Sequence, residues 1–215
     1  MTTVALEVVP ITNGSFAENS YLVFDPGHAE TILVDPGEEG ARLLAEADRR
    51  NRRISAIWLT HAHIDHVQGV AEVRAATGAP IHLHPGDREL YDRLPEQGRR
   101  LGLHLEKPPP PDHRLTHRQH LRIGAGDFEV RHVPGHSPGH VCFVGEGVVL
   151  GGDVLFEGSI GRTDLPGGDY DTLIASIRRE LLSLPDDTIV YPGHGQSTTI
   201  GRERTSNPFL TRHQP

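Results

Sequence analysis

Cysteine and lysine are nearly missing from this sequence, and so is any long apolar run. Cys142 is the only cysteine, which excludes an internal disulfide and a thiolate zinc cluster. Lys107 is the only lysine among 21 basic residues; that preference for arginine is weak evidence of heat tolerance. With 29 acidic residues the formal charge is −8, the wrong sign for a general nucleic-acid binder. No apolar run approaches the roughly 20 residues needed to cross a bilayer. The first residues lack the basic-then-apolar pattern of a signal peptide. A cytoplasmic location with no membrane partner is therefore expected, and 215 residues suffice for a core without covalent staples.

Histidine, by contrast, is abundant, with 15 in the chain. Three of them fall in Thr-His-Ala-His-Ile-Asp-His at 60–66. The apolar segment 54–59 before this stretch reads as a buried strand, and 67–77 after it has helical spacing closed by Gly78. His61, His63, Asp65 and His66 are thus expected in a turn at the carboxyl end of a strand, where ligands collect in open α/β sheets. Three imidazoles and a carboxylate so close together cannot all find cheap hydrogen-bond partners. A divalent cation satisfies them together, since both groups are good ligands for zinc or iron.

Elsewhere the pattern predicts strands over 4–9 (stopped at Pro10), 21–24 and 31–34, joined as an antiparallel meander at a sheet edge. A helix is predicted over 38–51, a strand over 80–83 and a short helix over 86–94. His82 and His84 alternate with Ile81 and Leu83, as one polar face of a strand does. Residues 95–120 lose periodicity, and the four prolines at 108–111 predict a stiff crossover or a wall over the site. His104, His113, His117 and His120 in that region are read as solvated.

The second half predicts strands over 121–123, 128–133, 141–144, 148–150 and 188–191, with a loop over 155–168. A helix capped by Asp169 follows that loop, with Leu173, Ile174, Ile177, Leu181 and Leu184 on its inner face. His136 lies in Pro-Gly-His-Ser-Pro-Gly-His, Asp153 in Gly-Gly-Asp and His194 in Pro-Gly-His-Gly. Each again follows a strand. Cys142 in an apolar strand and Tyr191 before the last turn read as packing residues.

These four motifs, in this order along nearly the whole chain, resemble the metallo-β-lactamase superfamily. The resemblance implies an α/β fold, an αββα four-layer sandwich of two facing mixed sheets with metals at one edge. Gly-Ser-Ile-Gly-Arg-Thr-Asp at 158–164, Gly-Gly-Asp at 167–169 and the segments 198–201 and 207–210 resemble the short glyoxalase II-like hydrolases in particular. That likeness implies two divalent ions, zinc or iron and possibly manganese. His61, His63 and His136 would hold the first, Asp65, His66 and His194 the second, and Asp153 would bridge them. Asp65 and Asp153 offset only half of the charge of two divalent ions, so a bound water would have its pKa lowered toward about 7.

The activity so implied is hydrolysis of a hydroxyacyl thioester, S-lactoylglutathione-like, a small-molecule substrate. Asp65 is placed first as a ligand and second as a proton acceptor, His140 as an orienting residue, and Arg162 as a contact for a substrate carboxylate. Residues 1–215 read as one domain, with only about twenty residues after His194. The helical C-terminal domain that helps full-length glyoxalase II bind glutathione is therefore not expected. The Gly-Arg-Thr-Asp segment also resembles persulfide dioxygenases, which implies an alternative with one iron on His61 or His63, His136 and Asp153.

Overall fold

The computed structural model describes residues 6–211. One sheet has the order β1 (Glu7–Asn13), β2 (Glu18–Phe24), β3 (Glu30–Val34), β4 (Arg53–Trp58), β5 (Ile81–Leu83), β6 (His113–Arg114). Its helices are α1 (Gly40–Arg49), α2 (Ile64–Val67), α3 (Val70–Thr77), α4 (Arg88–Asp92) and α5 (Leu94–Arg100). The second half continues with β7 (His120–Ile123), β8 (Gly126–His132), β9 (Val141–Gly145) and β10 (Val148–Gly152). A small hairpin, β11 (Leu155–Phe156) and β12 (Ser159–Ile160), precedes α6 (Tyr170–Glu180). The chain ends in β13 (Ile189–Pro192), β14 (Thr198–Thr199), α7 (Ile200–Ser206) and α8 (Pro208–Thr211). The second sheet has the order β14-β13-β10-β9-β8-β7.

Period-two alternation explains the layering. On β2, Tyr21 and Val23 face the other sheet while Leu22 and Phe24 face the helices, and all four are buried. Three apolar cores result. One lies between α1, α3 and the first sheet, one between the sheets, and one under α6, α7 and α8. Strands covered on both faces are expected to be apolar on both. Trp58 occupies the middle core, its ring 5.0 Å from Phe143 and 5.6 Å from Phe128. Tyr21 and Tyr191 pack edge to face there, at 5.6 Å. The molecule is an αββα sandwich.

Several elements depart from the sequence pattern. The first strand runs through Pro10 to Asn13, because β1 is a sheet edge and a missing N–H there costs no ladder bond. The part of the expected strand at 4–5 lies outside the described residues. β2 starts at Glu18, three residues before its apolar run, with Glu18, Asn19 and Ser20 all buried. The helix expected over 67–77 is split, α2 taking up Asp65 and His66, so these two residues sit in a helical turn. The break falls at Gly69, where an added Cβ would stand 2.3 Å from the Gly37 carbonyl. The meander and the Asp169 cap are as expected, the carboxylate accepting from Thr172 N at 2.7 Å.

Residues 95–120 are more ordered than their composition predicts. Pro95 lies in the first turn of α5, where proline is tolerated, and β6 adds a strand beside β5. The expected loop at 155–168 contains the β11–β12 hairpin, and the tail forms β14, α7 and α8.

Candidate metal centre

Strand direction brings the ligand-type residues to one edge. β3 and β4 are parallel, so Asp35 and His61 follow neighbouring strand ends. β8 and β10 are each antiparallel to β9 and so run the same way, and β13 is parallel to β10. His136, Asp153 and His194 therefore emerge at the same edge of the second sheet. All seven residues expected to bind metal converge there.

Six of them form two triads, and Asp35 with His61 and His66 makes a third group that links the two. In the first, His136 Nε2 stands 2.8 Å from His63 Nδ1 and 3.2 Å from His61 Nε2. In the second, His194 Nε2 stands 3.1 Å from Asp65 Oδ2, with His66 Nε2 at 3.8 Å from the same oxygen. Asp153 lies between them, Oδ1 3.4 Å from His66 Nε2 and Oδ2 3.6 Å from both His136 Nε2 and His194 Nε2. His66 Nε2 and Asp153 Oδ1 are buried and have no hydrogen-bond partner among the described residues. Orphaned buried polar atoms are costly, and three imidazole nitrogens cannot share one proton. Divalent cations fit this donor set.

The charge environment separates the triads. Burial holds His61 well below the usual imidazole range and His63 at about 3, the neighbouring imidazoles adding to the effect, so both rings are neutral. Burial also acts to lower His66, but the Asp153 and Asp65 carboxylates outweigh it and hold His66 well above its ordinary value. Asp153 is held far below the carboxylate range although burial opposes this, because His66, His136 and His194 surround it.

A set of residues behind the ligands aims them. Asp35 accepts from Thr60 N and Thr60 Oγ1 at 2.7 and 2.6 Å and lies 3.1 Å from His66 Nδ1, which directs Nε2 toward the centre. His136 Nδ1 is 2.7 Å from the Arg162 carbonyl, which leaves Nε2 free. His140 Nε2 accepts from Asp153 N at 3.0 Å and its ring stacks on His61 at 4.8 Å, the orienting place expected of it. Asp87 accepts from Ala62 N, Ser137 Oγ and Gly139 N, tying the two ligand loops of the first triad together. Burial pushes its carboxyl up despite those donors. Asn19 Nδ2 and Tyr21 OH bond carbonyls flanking His194. At Gly193 a Cβ would stand 2.1 Å from Asp153 Oδ1, so only glycine lets the chain pass.

Asp35, Asp87, Glu18 and Asn19 were not foreseen as parts of the site. Asp35 follows a strand as the ligands do, and that position was its available signal. Asp87 and Asn19 sit in turn-like sequence and gave none. Cys142 is buried in the core with Sγ on the Gly151 carbonyl. Arg162 lines the cleft, and its Nε and Nη2 donate to Asp164 at 2.7 and 2.8 Å.

A family model for the metallo-β-lactamase superfamily matches residues 13–194. The chain belongs to that superfamily. It is 41% identical over 209 residues to hydroxyacylglutathione hydrolase GloC of Haemophilus influenzae, covering 95% of this chain and 97% of that one. Among solved structures, TTHA1623 in a di-iron-bound form is 46% identical with a TM-score of 0.87, over 94% of this chain and 100% of that one. The BLEG-1 B3 metallo-beta-lactamase is 42% identical with a TM-score of 0.89, over 95% and 100%. ETHE1 from Myxococcus xanthus is 25% identical with a TM-score of 0.80, over 94% and 83%. No helix among the described residues is long and apolar enough to cross a membrane.

Proposed function

We propose that this superfamily member is a dinuclear metal-dependent hydrolase that cleaves a hydroxyacyl thioester of the S-lactoylglutathione type in the cytoplasm. The observation that carries the reading is the pair of triads sharing Asp153 at the floor of a cleft of about 590 Å³. The likeness to a hydroxyacylglutathione hydrolase along almost the whole chain supports the substrate class. His61, His63 and His136 would hold one ion, Asp65, His66 and His194 the other, with Asp153 common to both. Zinc, iron or manganese suits these donors. Two such ions supply a water of lowered pKa and polarise the carbonyl it attacks.

The chain's own residues do the rest. Asp35, His140 and the Arg162 carbonyl hold the ligand rings and Asp153 in one geometry. Ile64, Phe156, Ile160 and Leu165 give the cleft apolar walls, which exclude bulk water and strengthen electrostatics inside. A thiol leaving group has a pKa near 8.5 and departs as thiolate, so no general acid is required. Asp65 acts first as a ligand and, once coordinated, is only a weak base.

A second reading is a mononuclear iron persulfide dioxygenase. Its support is that His61 Nε2 and Asp153 Oδ2 lie 3.2 and 3.6 Å from His136 Nε2, and two imidazoles with a carboxylate are a set suited to non-haem iron. The deciding experiment is steady-state hydrolysis of S-lactoylglutathione by metal-loaded protein, with Asp153→Ala as the blank. Parallel assays measure oxygen uptake with a persulfide and opening of a chromogenic β-lactam. Thioester turnover well above the blank is expected; oxygen uptake alone, or β-lactam opening alone, would overturn the hydrolase reading.

A further inference from the structure

Three arginines line the cleft above the centre: Arg93, Arg100 and Arg162. Two of them are already paired. Arg162 makes a two-pronged contact with Asp164, and Arg93 reaches Glu89 at 3.0 Å and Glu96 at 3.8 Å. Arg100, at the end of α5, has no hydrogen bond or ion pair among the described residues. It is the cleft cation left free for a ligand.

Its position is set by the helix that carries it. Gln97 Nε2 donates to the Ala62 carbonyl at 3.0 Å and to the Leu90 carbonyl at 2.9 Å. Ala62 lies between His61 and His63, so α5 is fastened directly to the ligand loop. Arg93, Gln97 and Arg100 follow one another at helical spacings of four and three, which puts them on one face. That face borders the cleft. The same cleft is lined by two large apolar side chains left in solvent, Leu101 at 51% and Phe16 at 41% exposure. An unpaired guanidinium next to uncovered apolar surface matches a ligand with an apolar or amide stem and a terminal carboxylate.

Resting on the hydrolase reading, we infer that Arg100 is the specificity-determining residue of the cleft, binding a carboxylate that the thioester carries away from its scissile bond. Arg162, neutralised by Asp164, does not have that role. The thiol and the acyl portion are the two sources of such a carboxylate, and three thioesters separate them. S-lactoylglutathione carries it on the thiol, S-succinyl-N-acetylcysteamine on the acyl group, and S-lactoyl-N-acetylcysteamine has none.

In metal-loaded protein, Arg100→Ala is expected to raise KM about tenfold for the carboxylate-bearing thioester that uses the contact, the loss of about one charge-assisted hydrogen bond. Turnover number should stay within about twofold, and the uncharged thioester should be affected less than about twofold. Arg100→Lys should recover part of the loss, whereas Arg162→Ala should shift charged and uncharged substrates alike. Equal losses on all three thioesters, or no loss on either charged one, would overturn the inference. Wild-type protein inert toward every thioester would instead defeat the hydrolase reading. Anion recognition is then read by calorimetric titration of glutathione and of succinate: about tenfold weaker binding of one of them to Arg100→Ala is expected, and equal binding of both would overturn the inference.

Discussion

His61, His63 and His136 form a triad of imidazoles alone, whereas the triad of Asp65, His66 and His194 contains a carboxylate, and Asp153 stands 3.6 Å from both His136 Nε2 and His194 Nε2. The first triad is backed by the Thr60 hydroxyl and the Arg162 carbonyl. The second contains Asp65 and is backed by Asp35 at 3.1 Å and Glu18 at 3.8 Å from His66 Nδ1. Burial raises Glu18 well above the usual carboxylate range. The difference implies a division of labour. A cation held by imidazoles alone would keep most of its charge for polarising a carbonyl, whereas carboxylates would offset the charge of the other and hold it in place.

The comparison breaks most completely at Asp153, the one residue both triads share. Asp153→Ala should lower thioester turnover by about 10³-fold, the several kcal/mol a metal pair supplies to the transition state. It should also reduce bound metal, as counted by plasma emission. Substantial activity with full metal content would contradict a bridging role. Next in size are two substitutions weighted toward one triad each. Asp35→Ala removes the partner of His66 and should weaken the second ion about 10–100-fold, while Asp87→Ala should do the same to the first. Competition with a graded chelator reads each loss; the same ion weakened by both variants would erase the distinction.

Proton linkage sharpens the contrast. In metal-free protein His66 is held above its ordinary value, so it keeps its proton to higher pH, and a cation must displace that proton. Binding at the second triad should therefore release a proton and weaken as pH falls through the raised His66 value. His61 and His63 are depressed and already neutral, so the first triad should bind without that dependence. Calorimetry in buffers of different ionisation heat separates the two events; proton release from neither would contradict the assignment. The smallest effect concerns support from the fold. Tyr21→Phe removes the hydroxyl that bonds the Pro192 carbonyl at 2.6 Å. It should cost about 1 kcal/mol in denaturant unfolding and leave the first triad unchanged.

The parts legible in sequence share one property: their signal is local. His61, His63, Asp65 and His66 fall within six residues, and His136, Asp153 and His194 each follow an apolar strand through a glycine turn. The missed parts depend on pairing between distant segments. Asp35 in Asp-Pro-Gly reads as a turn until β3 pairs with β4 and brings it beside His66. Glu18 and Asn19 read as polar turn residues, yet they are buried because β2 continues under the site. Arg162 reads from sequence as a contact for a carboxylate, and the fold pairs it with Asp164 two residues on. The helix α5, which carries Arg100, lacked a periodic apolar face over its seven residues and begins beside a proline. Its register comes from Gln97 on the Ala62 carbonyl, a contact across 35 residues.

The most direct test of two ions sharing Asp153 is to titrate metal-free protein with zinc or iron while following bound metal and thioester hydrolysis together. The account predicts two equivalents bound per chain, with activity rising chiefly as the second is taken up. Saturation of both binding and activity at one equivalent would contradict it and leave a mononuclear centre on His61, His136 and Asp153.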